Sequence, residues 1–229
     1  MRLRDWQAAA TLEELQALLL DGPSLFPPDR PALDAPFDAV PFCFFDVETT
    51  GLDPERGDRI VEIAAVRIDP GGRERRHVEI LDPRRDIPDE VRAIHAIRPE
   101  QVRSCRRFAA GRDEILSLFD GAVAVGHNVG FDLRFLRWEL RRAGADLPPL
   151  RVLDTWCLAR RWCHLRSYSL ESVARHLEIS PRDLHKALDD VLTTRAVLER
   201  LAPRIEPPAA RLVDLLNAML APLPESVKE

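Results

Sequence analysis

The chain has 229 residues, 45% of them hydrophobic and 31% charged. That is about one and a half domain lengths with enough apolar material for a core, which excludes wholesale disorder and a long repeat array. The formal net charge of -5 argues against holding nucleic acid through bulk positive charge.

No apolar run reaches the roughly 18 residues that cross a bilayer, and Glu13 and Glu14 interrupt the Leu-rich N-terminal stretch, unlike a signal peptide. A soluble cytoplasmic protein with no membrane partner is expected. Cys43, Cys105, Cys157 and Cys163 lack CxxC spacing, which fits free thiols in a reducing compartment. Of the 33 basic residues, only Lys186 and Lys228 are lysine. Residues 73–166 hold 19 Arg against 14 acids, a local balance of +5 that leaves -10 for the remainder. Such a basic middle permits a phosphate-binding surface, and ordinary solvated Arg faces give the same count.

Leu12, Leu15 and Leu19 predict an amphipathic helix over 5–20, followed by a Pro-rich tether up to Pro41. Phe42 to Val47 reads as a buried strand ending in the turn Thr49-Thr50-Gly51. Ile60 to Ile68 and Arg73 to Ile80 read as strands joined by the hairpin signal Asp69-Pro70-Gly71-Gly72. Helical periods follow at 88–95 and 112–119, a strand at 122–125, a helix near 129–143 and a short strand at Val152-Leu153. Helices are expected at 155–163, 169–177, 186–202 and 209–220. The order β-β-β-α-β-α-β-α predicts an α/β fold, a mixed sheet flanked by helices. The expected organisation is a helix and tether over 1–41, the main domain over 42–203 and a helical appendage over 204–229.

Asp46 and Glu48 lie two residues apart at a strand end, so both side chains point to one side. At an effective dielectric of about 20 and roughly 5 Å, such a pair repels by about 3 kcal/mol, which a cation or a shared proton must offset. Asp132 falls near a helix start, where a first-turn acid behind an Asn128 cap would be an ordinary local device. In His185-Lys186-Ala187-Leu188-Asp189-Asp190, helical spacing alone pairs His185 with Asp189. Asp190 becomes the partner only if His185 precedes the first regular turn.

Together these segments resemble one family. Phe45-Asp46-Val47-Glu48-Thr49-Thr50-Gly51, Gly126-His127-Asn128 with Phe131-Asp132, and His185-x-Ala187-x-x-Asp190 are similar to the three motifs of the DEDDh exonucleases. This is the group of the proofreading epsilon subunit of bacterial DNA polymerase III. The likeness extends through Ile60 to Val66 and Leu153-Asp154-Thr155, covering roughly 42–202. It implies a ribonuclease H-like fold with the first strand central. It also implies two Mg²⁺ or Mn²⁺ ions, with Asp46 bridging them, Glu48 and Asp190 completing one site, Asp132 supporting the second, and His185 as general base.

The resemblance places Thr49, Thr50, Gly51, Leu52, His95 and Asn128 against the substrate. Leu52 reads equally as a loop contact with the core, and Ala96 stands where the family usually has glycine beside His95. The sister branch with a catalytic tyrosine is excluded, because the one tyrosine is Tyr168. Arg134, Arg137 and Arg141 share a helical face that either tracks phosphates or is simply solvated, and Trp138 and Trp156 either stack bases or pack in the core.

The function implied is a metal-dependent 3′-5′ exonuclease of proofreading or repair type, hydrolysing DNA 3′ ends to nucleoside 5′-monophosphates. The alternatives are an exoribonuclease that trims RNA 3′ ends and an inert polymerase-associated binding module. Presence of all four acids and the histidine speaks against the last. The partners implied are single-stranded DNA or RNA 3′ ends, with a DNA polymerase subunit as a candidate.

Overall fold

The structure is a computed structural model and describes residues 34–148, 150–180, 186–204 and 211–220. The helix expected over 5–20 and His185 lie outside the described residues. Five strands, β1 (Phe42–Thr49), β2 (Ile60–Ile68), β3 (Glu74–Ile80), β4 (Val123–Gly126) and β5 (Arg151–Asp154), form one sheet in the order β3-β2-β1-β4-β5. The β1–β2 and β2–β3 pairs are antiparallel, and β1–β4 and β4–β5 are parallel. The expected mixed sheet with β1 at its centre is therefore present.

A central strand is covered on both faces, which explains why β1 opens with the unbroken apolar run Phe42-Cys43-Phe44-Phe45. Phe45 packs edge-to-face on Phe119 with ring centroids 5.0 Å apart, on the sheet face opposite that of Asp46 and Glu48. The β2–β3 hairpin closes where expected. Gly72 N–H donates to the Asp69 carbonyl at 3.0 Å, and Gly71 and Gly72 both take φ of 85°.

The helices are α1 (Asp89–His95), α2 (Pro99–Val102), α3 (Phe108–Phe119), α4 (Gly130–Arg142), α5 (Thr155–Trp162), α6 (Leu170–His176), α7 (Ala187–Leu201) and α8 (Leu212–Leu220). Two features differ from the sequence expectation. Helix α3 starts a turn before residue 112, because buried Phe108 adds an anchor to the apolar face. Helix α2 is too short to show a period; Pro99 starts it, and the Gln101 side chain accepts the Arg98 N–H at 2.8 Å.

Helix α7 packs on β1 and β2, and α3 and α4 also pack against these two strands. A small satellite core of Val61, Ile87, Ile97 and Val102 fills the space under the 81–102 segment. Val40, with Leu212, Leu215, Leu216 and Met219 of α8, joins the main core, and Leu212 N–H donates to the Ala35 carbonyl at 3.1 Å. The described parts of both terminal segments thus bury their apolar side chains in the same core as residues 42–203.

Candidate active site

The burial of β1 breaks at Asp46 and Glu48, which are half-buried while Val47 between them is fully buried. The pleat sends both carboxylates to the face that α7 covers. Strand β4 pairs with β1 only as far as Phe44, opposite Val125. Beyond that point the β4 side of β1 has free backbone groups, and Asp132 uses one of them: its Oδ1 accepts the Val47 N–H at 3.0 Å. This fixes a buried acid of α4 beside the two strand carboxylates.

Asp190, not Asp189, is the acid of α7 that arrives at the site. Carboxylate oxygens of Asp46, Glu48 and Asp190 lie within 4.8 Å of one another. Asp190 is buried and Asp189 only partly so. Lys186 stands at the cap position in an extended conformation and gives no side-chain cap. The first N–H of α7 is taken instead from across the sheet, where Glu62 Oε2 accepts from Ala187 N at 3.3 Å. Glu62 also sits opposite Glu48 in the β1–β2 register. The motifs give Glu62 no site role, although a charge inside the apolar run Ile60-Val61-Glu62-Ile63 is a signal for one.

The electrostatics follow from five acids sharing one small volume. Burial, then the carboxylates of Asp132, Glu48, Asp190 and Glu62, push Asp46 well above the usual carboxylate range. Burial and the charges of Asp190, Glu62 and Asp132 push Glu48 up to about 8. Asp132 is raised by burial against the pull of the Val47 N–H, and Glu62 is raised by burial despite Ala187 N–H and Lys186. At an effective dielectric of 20, two charges 4.8 Å apart repel by roughly 3 kcal/mol. Hard oxygen donors, closely spaced and mutually repelling, fit Mg²⁺ or Mn²⁺ better than Zn²⁺.

The loop after β1 is tightly closed. A register shift at Glu48–Thr49 ends the regular pairing. Thr49 Oγ1 donates to the Gly51 carbonyl at 2.6 Å, and Thr50 N–H donates to the Arg59 carbonyl at 2.9 Å. At the base of the loop, Arg59 makes a two-pronged ion pair with buried Glu139 of α4, Nε to Oε1 at 2.5 Å and Nη2 to Oε2 at 2.8 Å. Arg134 donates to the Leu52 carbonyl, so this arginine of the expected phosphate-tracking face is engaged with the loop. Arg141 and Arg142 lie over the Trp138 ring, 6.0 and 5.6 Å from its centroid.

Asn128 takes a left-handed φ of 64°, and α4 has no side-chain cap of its own. Its cap comes from Asp154 at the end of β5, whose carboxylate accepts from Asn128 N at 2.9 Å, Val129 N at 3.1 Å and, for α5, Trp156 N at 2.8 Å. Burial raises Asp154 to about 6 against the opposing pull of these backbone donors and of the Cys157 N–H. A Cβ at Gly126 would press on Val129 at 2.7 Å, which is why this tight turn into α4 opens with glycine. His127 bridges Thr155 Oγ1 at 2.9 Å and the Tyr168 carbonyl at 2.8 Å. His95 is buried at the end of α1, and its Nδ1 accepts the Ile97 N–H at 3.0 Å across Ala96, which has a φ of 59°. The structure thus gathers Asp46, Glu48, Asp132 and Asp190 at one point, with Thr49 ending β1 and Thr50 to Leu52 directly following it.

Residues 43–198 match the exonuclease family. The chain is 34% identical over 165 residues to the 3′-5′ exonuclease DinG of Bacillus subtilis, covering 72% of this chain and 18% of that protein. It is 34% identical over 152 residues to the DNA polymerase III subunit epsilon of Rickettsia prowazekii, covering 63% and 66%. Among solved structures, E. coli exonuclease I in complex with a dT13 oligonucleotide is similar at a TM-score of 0.62 and 25% identity, over 72% of this chain and 42% of that one. Exonuclease X in complex with 5′ overhanging duplex DNA is similar at a TM-score of 0.59 and 26% identity, over 76% and 98%. The chain spans less than a fifth of the length of DinG. Because the matched span contains all four converging carboxylates and the strands and helices that carry them, the chain belongs to the exonuclease family.

Proposed function

We propose that the chain is a metal-dependent DEDDh 3′-5′ exonuclease of proofreading or repair type that releases nucleoside 5′-monophosphates from DNA 3′ ends. The observation that carries this reading is the meeting of Asp46 and Glu48 of β1 with Asp190 of α7 within 4.8 Å, beside the strand-anchored Asp132. Asp46, Glu48, Asp132 and Asp190 are the residues that would hold two Mg²⁺ or Mn²⁺ ions. Bound there, such ions supply Lewis-acid stabilisation of phosphoryl oxygens and a more acidic water.

The chain's own groups supply the rest. Backbone groups of Thr49, Thr50, Gly51 and Leu52 receive the 3′-terminal nucleotide next to the acids, with Asn128 at the start of α4. His185, which immediately precedes the segment leading to Asp190, takes the proton of the attacking water on an imidazole nitrogen. DNA is favoured as the substrate by the likeness to exonuclease I with its dT13 oligonucleotide and to exonuclease X with its duplex DNA. The four free cysteines accord with a reducing cytoplasm, and among the described residues no helix is long and apolar enough to cross a membrane. A DNA polymerase subunit remains the partner that the epsilon resemblance points to.

The test is digestion of 5′-labelled single-stranded DNA and matched RNA with Mg²⁺, alongside a chelator control. Stepwise shortening of the DNA from its 3′ end, a mononucleotide 5′-phosphate product and no reaction with chelator are expected. Faster shortening of RNA would make the enzyme an exoribonuclease, and no shortening of either would end the nuclease assignment.

A further inference from the structure

The eleven positions from Thr49 to Arg59 turn around a residue that neither the motifs nor the chemistry of the acids assigns. Asp58 is mostly buried, and its carboxylate points back into the loop. Its Oδ1 accepts the Thr50 hydroxyl at 3.1 Å, and its Oδ2 accepts the Asp53 N–H at 3.0 Å. Arg85, arriving from the segment after β3, pairs with Oδ1 at 2.9 Å. A carboxylate with an arginine and two loop donors is held in place. It occupies the volume that any side chain on Gly51 would need, since a Cβ there would overlap the Asp58 carboxylate.

The backbone closes the same ring. Asp58 N–H donates to the Asp53 carbonyl at 3.1 Å, and Arg59 N–H donates to Thr50 Oγ1 at 3.0 Å. The Thr50 hydroxyl is therefore engaged within the loop, as donor to Asp58 and acceptor from Arg59, and Thr49 Oγ1 is engaged with the Gly51 carbonyl. The course of the loop backbone therefore sets what it presents to a ligand, and Asp58 holds that course. From outside, α4 clamps the ring through Arg142, which donates to the Pro54 carbonyl at 2.6 Å and to the Asp58 carbonyl at 3.2 Å.

We infer that Asp58 is a positioning residue for the exonuclease reaction: by filling the space over Gly51 and tying Thr50 to Asp53, it shapes the 49–52 loop that receives the 3′-terminal nucleotide. The inference rests on the proposed function of this site. The glycine at 51 and the acid at 58 form one device, in which the missing side chain makes room for the carboxylate.

The test is a cycle of Gly51→Ala, Asp58→Ala and the double variant in the full chain, with Asp58→Asn as a milder change that keeps one acceptor oxygen. Steady-state kinetics on single-stranded DNA, the Mn²⁺ concentration for half-maximal rate, and anisotropy of a 3′-ended fluorescent oligonucleotide are measured. Each single alanine variant should raise KM about tenfold, with kcat within about threefold and the Mn²⁺ requirement unchanged. The double variant should be no worse than the poorer single, because Asp58→Ala vacates the volume that the new Cβ at position 51 enters. An unchanged KM, multiplied effects in the double variant, or a lowered melting temperature with normal KM would overturn the inference. If the wild type hydrolyses nothing, the exonuclease reading fails instead, and oligonucleotide affinity decides: about tenfold weaker binding by Asp58→Ala supports the loop's role, and equal binding removes it.

Discussion

Asp132 Oδ1 accepts the backbone N–H of Val47 at 3.0 Å, between the two strand carboxylates, in the stretch of β1 that β4 no longer covers. One carboxylate thereby satisfies a buried strand donor and adds negative charge to the site. The two jobs can be separated. Asp132→Asn keeps an acceptor for Val47 and removes a charge repelled by Asp46, so it should unfold at the same or higher urea concentration than wild type in chelator. Asp132→Ala orphans a buried N–H and should lose about 1–2 kcal/mol. Both variants should lose about a hundredfold or more in nuclease rate. Equal stability of the Asn and Ala variants would show that the Val47 bond contributes nothing to folding.

Mutual repulsion among Asp46, Glu48, Asp132 and Asp190 leaves the metal-free protein strained. Mn²⁺ at a hundredfold excess over its Kd should stabilise the fold by about 2.7 kcal/mol, which in a chain of this length raises the melting temperature by about 5 °C or more. Asp46→Asn should melt above wild type without metal and show little Mn²⁺-dependent rise, because it lacks the charge that the other acids oppose. A thermal melt series against Mn²⁺ checks both. No shift in wild type at saturating metal would count against a preassembled site.

The elements were legible where one signal dominated. Ile60–Ile68 is an apolar, β-branched-rich run broken only by Glu62 and Arg67, with turn residues after it, so β2 has the expected bounds, and the hairpin at Gly71-Gly72 follows from the need for positive φ. The convergence of Asp46, Glu48, Asp132 and Asp190 was legible only through motif spacing, since helical geometry alone preferred Asp189. What the sequence hid were cross-element partners. The Glu62 cap on α7, the Asp154 cap on α4 and the Arg59–Glu139 pair span 125, 26 and 80 positions. No local period encodes such contacts; they exist only once the sheet has brought the segments together. Likewise, Arg134 reads as a surface cation, but its neighbour across space is the Leu52 carbonyl.

Glu62 separates acceptor geometry from charge in the same way as Asp132. Its Oε2 receives the Ala187 N–H and so fixes the start of the helix that delivers Asp190. Glu62→Gln retains an oxygen for that bond and relieves repulsion with Glu48 opposite, so its melting temperature should match or exceed that of wild type. Glu62→Ala leaves the α7 end uncapped and should cost about 1 kcal/mol, with an increased Mn²⁺ requirement as Asp190 loses its register. Thermal melts and Mn²⁺ activation curves on the two variants provide the check. If alanine behaves as glutamine does, Glu62 does not hold the helix.

His127 supplies a pH dependence that is independent of metal. The Tyr168 carbonyl can only accept, so Nε2 carries the ring proton, while Nδ1 lies 2.9 Å from the Thr155 hydroxyl, which also reaches the Gly126 carbonyl at 3.1 Å. Burial depresses the imidazole to about 4, against the smaller opposing pull of the Tyr168 carbonyl. The unfolded chain takes up its proton near the ordinary value of 6.5. As pH falls from 6.5 towards 4, the unfolded state therefore binds more protons at this position than the folded state, and stability falls. The contribution is complete above 6.5 and lost by about 4, and it amounts to at most about 3 kcal/mol. His127→Gln offers an amide N–H to the same carbonyl and does not titrate. Its unfolding free energy should drop less than that of wild type between about pH 7 and about pH 4.5, as measured by urea denaturation in chelator. Parallel pH profiles for the two proteins would mean that the ring is already charged in the fold and supplies no such dependence.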